Sequence, residues 1–243
     1  MITFTNVNFK YKASLSQDKT FKSLIVRPSR YYTKSSTSKG SVKNINFTIC
    51  KGEKVGIVGQ NGAGKTTLIR LIGGILKPKT GGITVSGTVS PLIGLGFGMD
   101  PNMSVVESLK LYFLYRGCEP SLLNELIHSV VERAGLEDLS EELVGTLSSG
   151  TLARLHFYAG ITIKSEIMLF DEFSAVGDAA FIKKSRKDLD EFIKDSSTLI
   201  NVSHNLDYIR EVSQRCMWVM DGEIFMDGVT SDVLEKYEQY FNG

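Results

Sequence analysis

The chain has 243 residues, of which 42% are hydrophobic and 23% charged, so it is a globular protein rather than a disordered or collagen-like one. Lys and Arg together number 28 against 27 Asp and Glu, and a net charge of +1 gives no overall attraction to nucleic acid. No run approaches the length of about 18 apolar residues that a membrane-spanning helix needs. The three cysteines lie far apart, which argues against a disulfide framework or a zinc site and favours a reduced, intracellular protein.

Basic charge is concentrated in residues 12–43, which hold eight basic side chains and one acidic one. Residues 33–40 within this segment are all Thr, Ser, Lys or Gly, the composition of an exposed loop. Charge runs of this kind are usually solvated surface insertions. The other interpretation is a contact with a membrane surface or a partner subunit, and the sequence leaves both open.

The first half of the chain reads as strands around one helix. Apolar and polar residues alternate at 2–9 and 42–49, as in half-buried strands, whereas 54–58 is a short, continuous apolar run. A helix is predicted at 68–75 from its apolar periodicity. Another strand is expected at 83–89, so that the N-terminal strands form a small antiparallel sheet.

The second half alternates longer helices with buried strands. In chain order it contains helical patterns in 105–135 and 152–164, apolar strands at 167–170 and 198–202, a hairpin at 218–226 and a helix from 231 onward. Continuous apolar strands indicate a parallel sheet covered on both faces, with the helices as crossover connections. The sequence therefore predicts an α/β fold.

Residues 59–66, Gly-Gln-Asn-Gly-Ala-Gly-Lys-Thr, match the phosphate-binding pattern G-x-x-x-x-G-K-[ST] and lie between a strand and a helix, as that motif requires. The glycines let successive backbone N–H groups point at phosphate oxygens, and the helix directs its positive dipole end at the same anion. We expect Lys65 to bridge the β- and γ-phosphates and the Thr66 hydroxyl to bind Mg²⁺. The predicted nucleotide-binding residues here are Gly59, Asn61, Gly62, Ala63, Gly64, Lys65, Thr66 and Thr67.

Two acids, Asp171 and Glu172, directly follow the predicted strand at 167–170. Ligands of open α/β sheets bind at the C-terminal edge of the strands, so both acids should reach the nucleotide. We expect Asp171 to hold Mg²⁺ and Glu172 to polarise the attacking water. His204 follows the strand at 198–202 and reaches the same edge, where it can contact the γ-phosphate.

The phosphate loop, residues 147–151, Asp171-Glu172 and Ser203-His204 stand in an order and spacing that resemble the ATPase domain of ABC transporters. The resemblance implies a P-loop NTPase of ABC type, with a mostly parallel core sheet, an N-terminal antiparallel β subdomain and an inserted helical subdomain. It implies a single ABC ATPase domain over residues 1–243, with a basic insertion at 12–43 and the helical subdomain at about 95–163. It also implies hydrolysis of MgATP by a homodimer that works with an integral-membrane permease.

Residues 147–151, Leu-Ser-Ser-Gly-Thr, look like the ABC signature, which in the family presses on the γ-phosphate held by the partner subunit. Ser149 stands where the family has the first Gly, and Thr151 where it has Gln. Ser148 keeps the hydroxyl, Gly150 keeps the close backbone approach, and a helix N-terminus still favours an anion. In the family an aromatic side chain from the early sheet stacks on adenine, and Tyr11 matches that position.

Several departures from the general pattern resemble the ABC ATPases that export O-antigen, capsule or teichoic acid. They are the Ala-Arg-Leu at 153–155 after Ser-Ser-Gly, the Ala-Val-Gly-Asp-Ala-Ala-Phe at 175–181, the basic insertion, and a glycine-rich stretch at 92–99 in place of the Q-loop glutamine. This resemblance implies a peripheral protein on the cytoplasmic face of the inner membrane that powers polysaccharide export and binds no nucleic acid. The alternatives are an ABC ATPase for a lipid, drug or nutrient, and a soluble non-transport ABC ATPase. The latter class carries long coiled coils or two cassettes, which this chain lacks.

Overall fold

A small antiparallel sheet forms the N-terminal part of the protein. The computed structural model describes residues 1–11, 40–93, 98–171, 185, 187–189 and 198–242. The sheet comprises β1 (Ile2–Phe9), β2 (Val42–Ile49) and β4 (Thr80–Val85), with β1 in the middle. Both neighbours run antiparallel to β1, as the alternating pattern predicted.

A six-stranded sheet forms the centre of the described fold. Its strands are β3 (Lys54–Val58), β5 (Val89–Ile93), β6 (Ile167–Asp171), β7 (Thr198–Val202), β8 (Arg215–Met220) and β9 (Glu223–Val229). They lie in the order β5-β6-β7-β3-β8-β9, and all neighbours are parallel except the β8–β9 hairpin. Because parallel strands end at the same edge, the C-terminal ends of β3, β6 and β7 are brought together.

The strand predicted at 83–89 is confirmed at its start, where it joins the antiparallel sheet, but its continuation to 89 is wrong, because the structure divides this stretch between the two sheets. β4 ends at Val85 and pairs with β1, whereas β5 begins at Val89 and pairs with β6. Between them Gly87 has a φ of +122°, a backbone conformation that residues other than glycine rarely adopt. The N–H of Ser86 donates to the carbonyl of Met1 at 2.9 Å, which ties down the end of the first sheet. The polar and apolar residues alternate through this bend, so the pattern alone did not reveal it.

Six α-helices lie wholly within the described residues, and residues 185 and 187–189 are also helical. The six helices are α1 (Lys65–Ile72), α2 (Val105–Tyr115), α3 (Leu123–Ala134), α4 (Ser149–Thr162), α5 (Leu206–Val212) and α6 (Thr230–Asn242). The helical pattern predicted over 105–135 is two helices, separated at Gly117, whose φ is +76°, and by a 3₁₀ turn that begins at Pro120. No helix in the described part of the chain is both long and apolar enough to cross a membrane.

The two faces of the central sheet pack against different layers. On one face α1 lies between the two sheets, with Leu68 buried beside strand residues such as Leu169. On the other face Met168 and Phe170 pack with α2, α3 and α4. Each large apolar side chain buried in this way contributes about 1.5–3 kcal/mol. Alternate residues of β6 therefore anchor it from both sides, which fixes the position of Asp171 at its end.

Candidate nucleotide-binding site

The phosphate loop is a tightly curved segment that only glycine can form at several positions. Gly59, Gly62 and Gly64 have φ angles of +153°, +85° and +113°. A Cβ atom on Gly59 would lie 2.3 Å from the carbonyl oxygen of Val219, so a larger residue there would displace β8. The loop ends where Lys65 begins α1. These positions agree with the requirement that the loop curl its backbone around an anion.

Lys65 is buried, with 6% of its surface exposed, although it carries a charge. Its ammonium donates hydrogen bonds to the carbonyls of Gly59 at 2.7 Å and Gln60 at 3.1 Å. A charged group is stable in such a place only when it is well paired, because burial removes its hydration. The ammonium is therefore held against the start of the phosphate loop, and its predicted bridge between the β- and γ-phosphates stays a prediction.

Thr66 and Asp171 connect the loop to the central sheet. The Thr66 hydroxyl donates to Asp171 Oδ1 at 3.3 Å. Asp171 is the last residue of β6, and the adjacent strand β7 leads to His204. A small pocket of about 110 Å³ is lined by Gly40, Asn61, Gly62, Gly64, Lys65, Thr66, Thr67, Asp171, Val202 and His204. The structure thus brings together three predicted parts of the site that lie far apart in the chain.

The Thr66–Asp171 pair is suited to Mg²⁺ that arrives with a nucleotide. Mg²⁺ prefers oxygen ligands, keeps several waters, and is usually held by one or two protein groups together with phosphates. Within the described ranges, no cluster of three or more His, Cys, Asp or Glu side chains is available to hold a metal ion. One hydroxyl and one carboxylate beside a phosphate loop fit this shared mode of binding.

Gly40 belongs to the site, although the sequence analysis did not select it. Its N–H donates to the carbonyl of Gly62 at 3.0 Å, and its own carbonyl accepts from the Thr67 hydroxyl at 2.6 Å. The Tyr11 hydroxyl lies 3.3 Å from the same Thr67 oxygen. Tyr11 therefore lies beside the first turn of α1, next to the phosphate loop. In the sequence Gly40 is marked only by its position at the end of a Thr/Ser/Lys run. Its φ of +81° explains why glycine occupies this position.

The signature residues form the N-terminus of α4. Ser148 caps this helix, because its hydroxyl accepts from the Thr151 N–H at 3.1 Å, and the two hydroxyls lie 2.7 Å apart. Thr151, which stands in place of the family's Gln, is thus used for capping, while Ser149 and Gly150 form the first turn. None of residues 148–150 is among the described residues that line the phosphate pocket.

Some of the predicted residues lie outside the described part of the chain. They are Glu172, residues 12–39 of the basic insertion, residues 94–97 of the glycine-rich stretch, and residues 175–181. Their roles stay predictions.

Together, the loop after β3, the helix α1 and the acid at the end of the neighbouring β6 define a P-loop nucleotide-binding domain. The profile of the family described as ABC transporter matches residues 42–175. The chain therefore belongs to the ABC transporter family and is an ABC-type ATPase, as its motifs predicted.

Solved ABC domains share this fold. An ATP-binding subunit of an ABC transporter aligns with a TM-score of 0.74 at 16% identity, covering 97% of this chain and 92% of the other. The dimeric ATP-binding cassette MJ0796, in a post-hydrolysis state with ADP and Pi, aligns with a TM-score of 0.72 at 19% identity, covering 95% and 99%. At these identities the similarity establishes the fold, including the mostly parallel sheet and the antiparallel N-terminal sheet that the sequence predicted.

Curated relatives are more similar in sequence. The O-antigen export system ATP-binding protein RfbB of Klebsiella pneumoniae is 30% identical over 240 residues, which is 98% of both chains. The teichoic acids export ATP-binding protein TagH of Shouchella clausii is 32% identical over 202 residues, covering 83% of this chain and 56% of the relative. The chain thus spans nearly all of the first relative and about half of the second.

Proposed function

We propose that this ATPase powers the export of a cell-envelope polysaccharide across the cytoplasmic membrane. The observation that supports ATP chemistry is the pocket shared by Lys65, Thr66, Asp171 and His204. The cargo class is supported by the O-antigen exporter subunit, which aligns over nearly its whole length, and by the teichoic acid exporter subunit, which aligns over part of its length. In this proposal the protein is a homodimer, peripheral on the cytoplasmic face of the inner membrane, bound to an integral-membrane permease that carries the polysaccharide.

The described residues suggest how ATP would be bound and cleaved. Lys65 and the loop N–H groups would hold the β- and γ-phosphates, and Thr66 with Asp171 would hold Mg²⁺, which neutralises charge on the phosphate oxygens. Glu172, next in the chain to Asp171, would accept a proton from water as the water oxygen bonds to the γ-phosphorus. The bond between that phosphorus and the β–γ bridging oxygen then breaks, and ADP and phosphate leave. His204, which lines the same pocket as Lys65, would donate to the γ-phosphate.

The signature supports a site shared between two copies of the chain. Ser148, Ser149 and Gly150 do not line the pocket of their own chain, yet they form a capped helix N-terminus, which favours an anion. In a two-fold symmetric dimer the same surface serves both copies, so each signature can face the nucleotide held by the other. Tyr11, beside α1, would lie against adenine.

The basic insertion supports a position at the membrane. Residues 12–43 carry seven more positive than negative charges. Near an anionic leaflet each Lys or Arg contributes about 1 kcal/mol of attraction, so even a few of these side chains would favour that surface.

The cargo is tested in cells that produce only the Lys65→Ala chain. We expect polysaccharide to be missing from the cell surface and to accumulate inside, because the transporter has lost its energy source. Lys51→Ala is the matched control, since Lys51 is an exposed lysine that pairs with Glu166 on the surface. Normal surface polysaccharide in the Lys65→Ala cells, with loss of a lipid, drug or nutrient transport activity instead, would assign the ATPase to another cargo.

A further inference from the structure

The signature helix α4 is held at its far end by three polar side chains, which we call the Tyr158 cluster. The Tyr158 hydroxyl, on α4, donates to Asp188 Oδ2 at 2.8 Å. Arg133, in the last turn of α3, lies 3.7 Å from the same carboxylate oxygen. Its guanidinium carbon is also 4.9 Å from the centre of the Tyr158 ring, close enough for a cation–π contact. The cluster therefore joins α3, α4 and the helical residues 187–189.

Tyr158 contributes a buried hydroxyl to this cluster. Tyr158 is 0% exposed, and a hydrogen bond to a carboxylate is about twice as strong as one between neutral groups. Burial first, and then the bond to Asp188, raise the pKa of Tyr158 far above its ordinary value. The phenol therefore keeps the proton that it donates to Asp188 throughout the physiological pH range.

The cluster anchors α4 to the part of the fold that carries the nucleotide site. Asp188 follows Asp171 by 17 residues in the chain, and the adjacent Leu189 is buried in the same core as Phe170 of β6. A second polar contact lies close by, where the Ser90 hydroxyl of β5 donates to the carbonyl of Gly160 at 3.1 Å. β5 pairs directly with β6, the strand that ends at Asp171. The far end of α4 is thus fixed relative to the edge of the sheet.

Because Ser148 lies far from Tyr158 along α4, a small tilt of the helix moves Ser148 by a distance that matters for catalysis. Ser148 precedes Tyr158 by ten residues, which is about 15 Å at the rise of an α-helix. A tilt of about 4° around Tyr158 moves Ser148 by about 1 Å over that length. A misplacement of about 1 Å in a catalytic group can lower a rate about 100-fold.

We propose that Asp188 is a positioning residue for ATP hydrolysis. Through Tyr158, and together with Arg133, it sets the orientation of α4 relative to the sheet, and so the place where Ser148 meets the nucleotide of a second copy. This inference rests on the proposed function, in which the signature acts across the dimer. Asp188 itself touches neither nucleotide nor metal in this scheme, so its effect should appear in turnover and not in nucleotide binding.

The test compares three substitutions in the full chain. Tyr158→Phe removes only the hydroxyl, Asp188→Ala removes the acceptor, and Asp188→Asn keeps an oxygen that can accept the same bond. We expect Tyr158→Phe and Asp188→Ala to lower kcat at least about tenfold. In both variants the Kd for a fluorescent ATP analogue should stay within about twofold of the parent, because the phosphate loop is unchanged. Asp188→Asn should have a kcat within about threefold of the parent, because it still accepts the hydrogen bond.

Thr162→Val is the matched control. The Thr162 hydroxyl lies at the same end of α4 but donates to the Tyr158 carbonyl at 2.6 Å, within the helix itself. We expect this substitution to leave kcat unchanged. A parental kcat in Tyr158→Phe would overturn the inference. An equal fall in Thr162→Val, or a fall that follows the unfolded fraction in thermal melts, would also overturn it, since a loosened helix would then explain the result.

Ser148→Arg, measured in the same assays, separates this inference from the proposed function. If Ser148→Arg abolishes turnover while Tyr158→Phe does not, only the positioning role is wrong. If Ser148→Arg turns over ATP at the parental rate, the signature takes no part in hydrolysis, and both the shared site and the positioning role are wrong.

Discussion

The Thr66 hydroxyl donates to the Asp171 carboxylate at 3.3 Å and so joins the first turn of α1 to the end of β6. A hydroxyl that donates one hydrogen bond still has lone pairs to offer. The contact thus holds a hydroxyl and a carboxylate side by side, and oxygen groups of this kind are the ligands that Mg²⁺ prefers.

Asp171→Asn should raise the Mg²⁺ requirement without collapsing the site. The amide oxygen can still accept from Thr66, but the negative charge that attracts the cation is gone. We expect the Mg²⁺ concentration that gives half-maximal ATPase activity to rise about 10–100-fold. Thr66→Ser is the control, because it retains the hydroxyl and should behave like the parent. An unchanged Mg²⁺ requirement in Asp171→Asn would remove Asp171 from the metal site.

Lys65→Ala and Glu172→Gln should separate nucleotide binding from hydrolysis. Lys65→Ala removes hydrogen bonds to a charged phosphate, worth about 1.5–3 kcal/mol each, so nucleotide affinity should fall at least about tenfold. Glu172→Gln should bind ATP like the parent but lower kcat about 100-fold or more, since only the proton acceptor is lost. Equilibrium binding and phosphate release measure the two effects.

Glu166→Gln provides the control for the glutamate variant. Glu166 directly precedes β6, so this substitution makes the same chemical change at the opposite end of the same strand. We expect it to hydrolyse ATP normally. Parental hydrolysis by Glu172→Gln would mean that another group accepts the proton.

A mixture of two inactive chains should recover dimerisation if the site is shared. Ser148→Arg places bulk and charge at the cap of α4, whereas Lys65→Ala damages only the phosphate loop. A heterodimer of the two contains one composite site with both halves intact. ATP-dependent dimerisation, followed by light scattering, should be higher in the mixture than in either variant alone. The same low level in all three samples would contradict the shared arrangement.

Reversing the charge of the basic insertion should impair export while sparing ATP hydrolysis. We expect this from Lys19, Lys22, Arg27 and Arg30 changed together to Glu, because the predicted phosphate contacts come from Lys65 and the loop. Phosphate release by the purified chain should be near normal, whereas surface polysaccharide should fall in cells. Normal export would mean that the segment is only a solvated surface loop. Lost hydrolysis would show that the insertion supports the nucleotide site instead.

His156 should make the protein less stable as the pH falls below neutrality. It lies on α4 with 8% of its surface exposed, and burial lowers its pKa to about 4 from an ordinary value near 6.5. Between these values the unfolded chain binds a proton that the folded chain does not. Above about pH 6.5 His156 is neutral in both states and does not lower the free energy of unfolding. As the pH falls toward about 4, the free energy of unfolding decreases, by roughly 3 kcal/mol in all.

Denaturant unfolding of His156→Leu measures this effect. The free energy of unfolding should fall less steeply between pH 6.5 and 4 in this variant than in the parent. His128→Gln should follow the parent, because the His128 side chain on α3 is 81% exposed. Parallel curves for the parent and His156→Leu would show that His156 binds protons equally in both states.

The phosphate loop was predictable because its chemistry is local. An anion cradle made of consecutive N–H groups needs consecutive residues, so residues 59–66 carry the whole signal. Asp171 and His204 were predicted by one further inference, which is that neighbouring parallel strands end at the same edge of a sheet. The apolar runs before these two residues indicated such strands.

Other parts of the molecule left no such pattern. Tyr158 and Asp188 are 30 residues apart, and no spacing in the chain indicates that their side chains meet. The bend at Gly87 depends on which sheet each flanking strand joins, and that choice is made by long-range pairing with β1 and β6. Features of this kind are decided by packing between distant segments, which a single sequence does not encode as a period or a motif.

Tyr11 and Gly40 both contact Thr67, so the chain departs from and returns to nearly the same point beside α1. The two ends of the stretch of 28 residues between them are therefore held close together. Doubling the number of residues between two fixed ends costs only about 0.6 kcal/mol more in loop-closure entropy. The length and sequence of this stretch can therefore change while its two ends stay beside Thr67 and the phosphate loop keeps its shape.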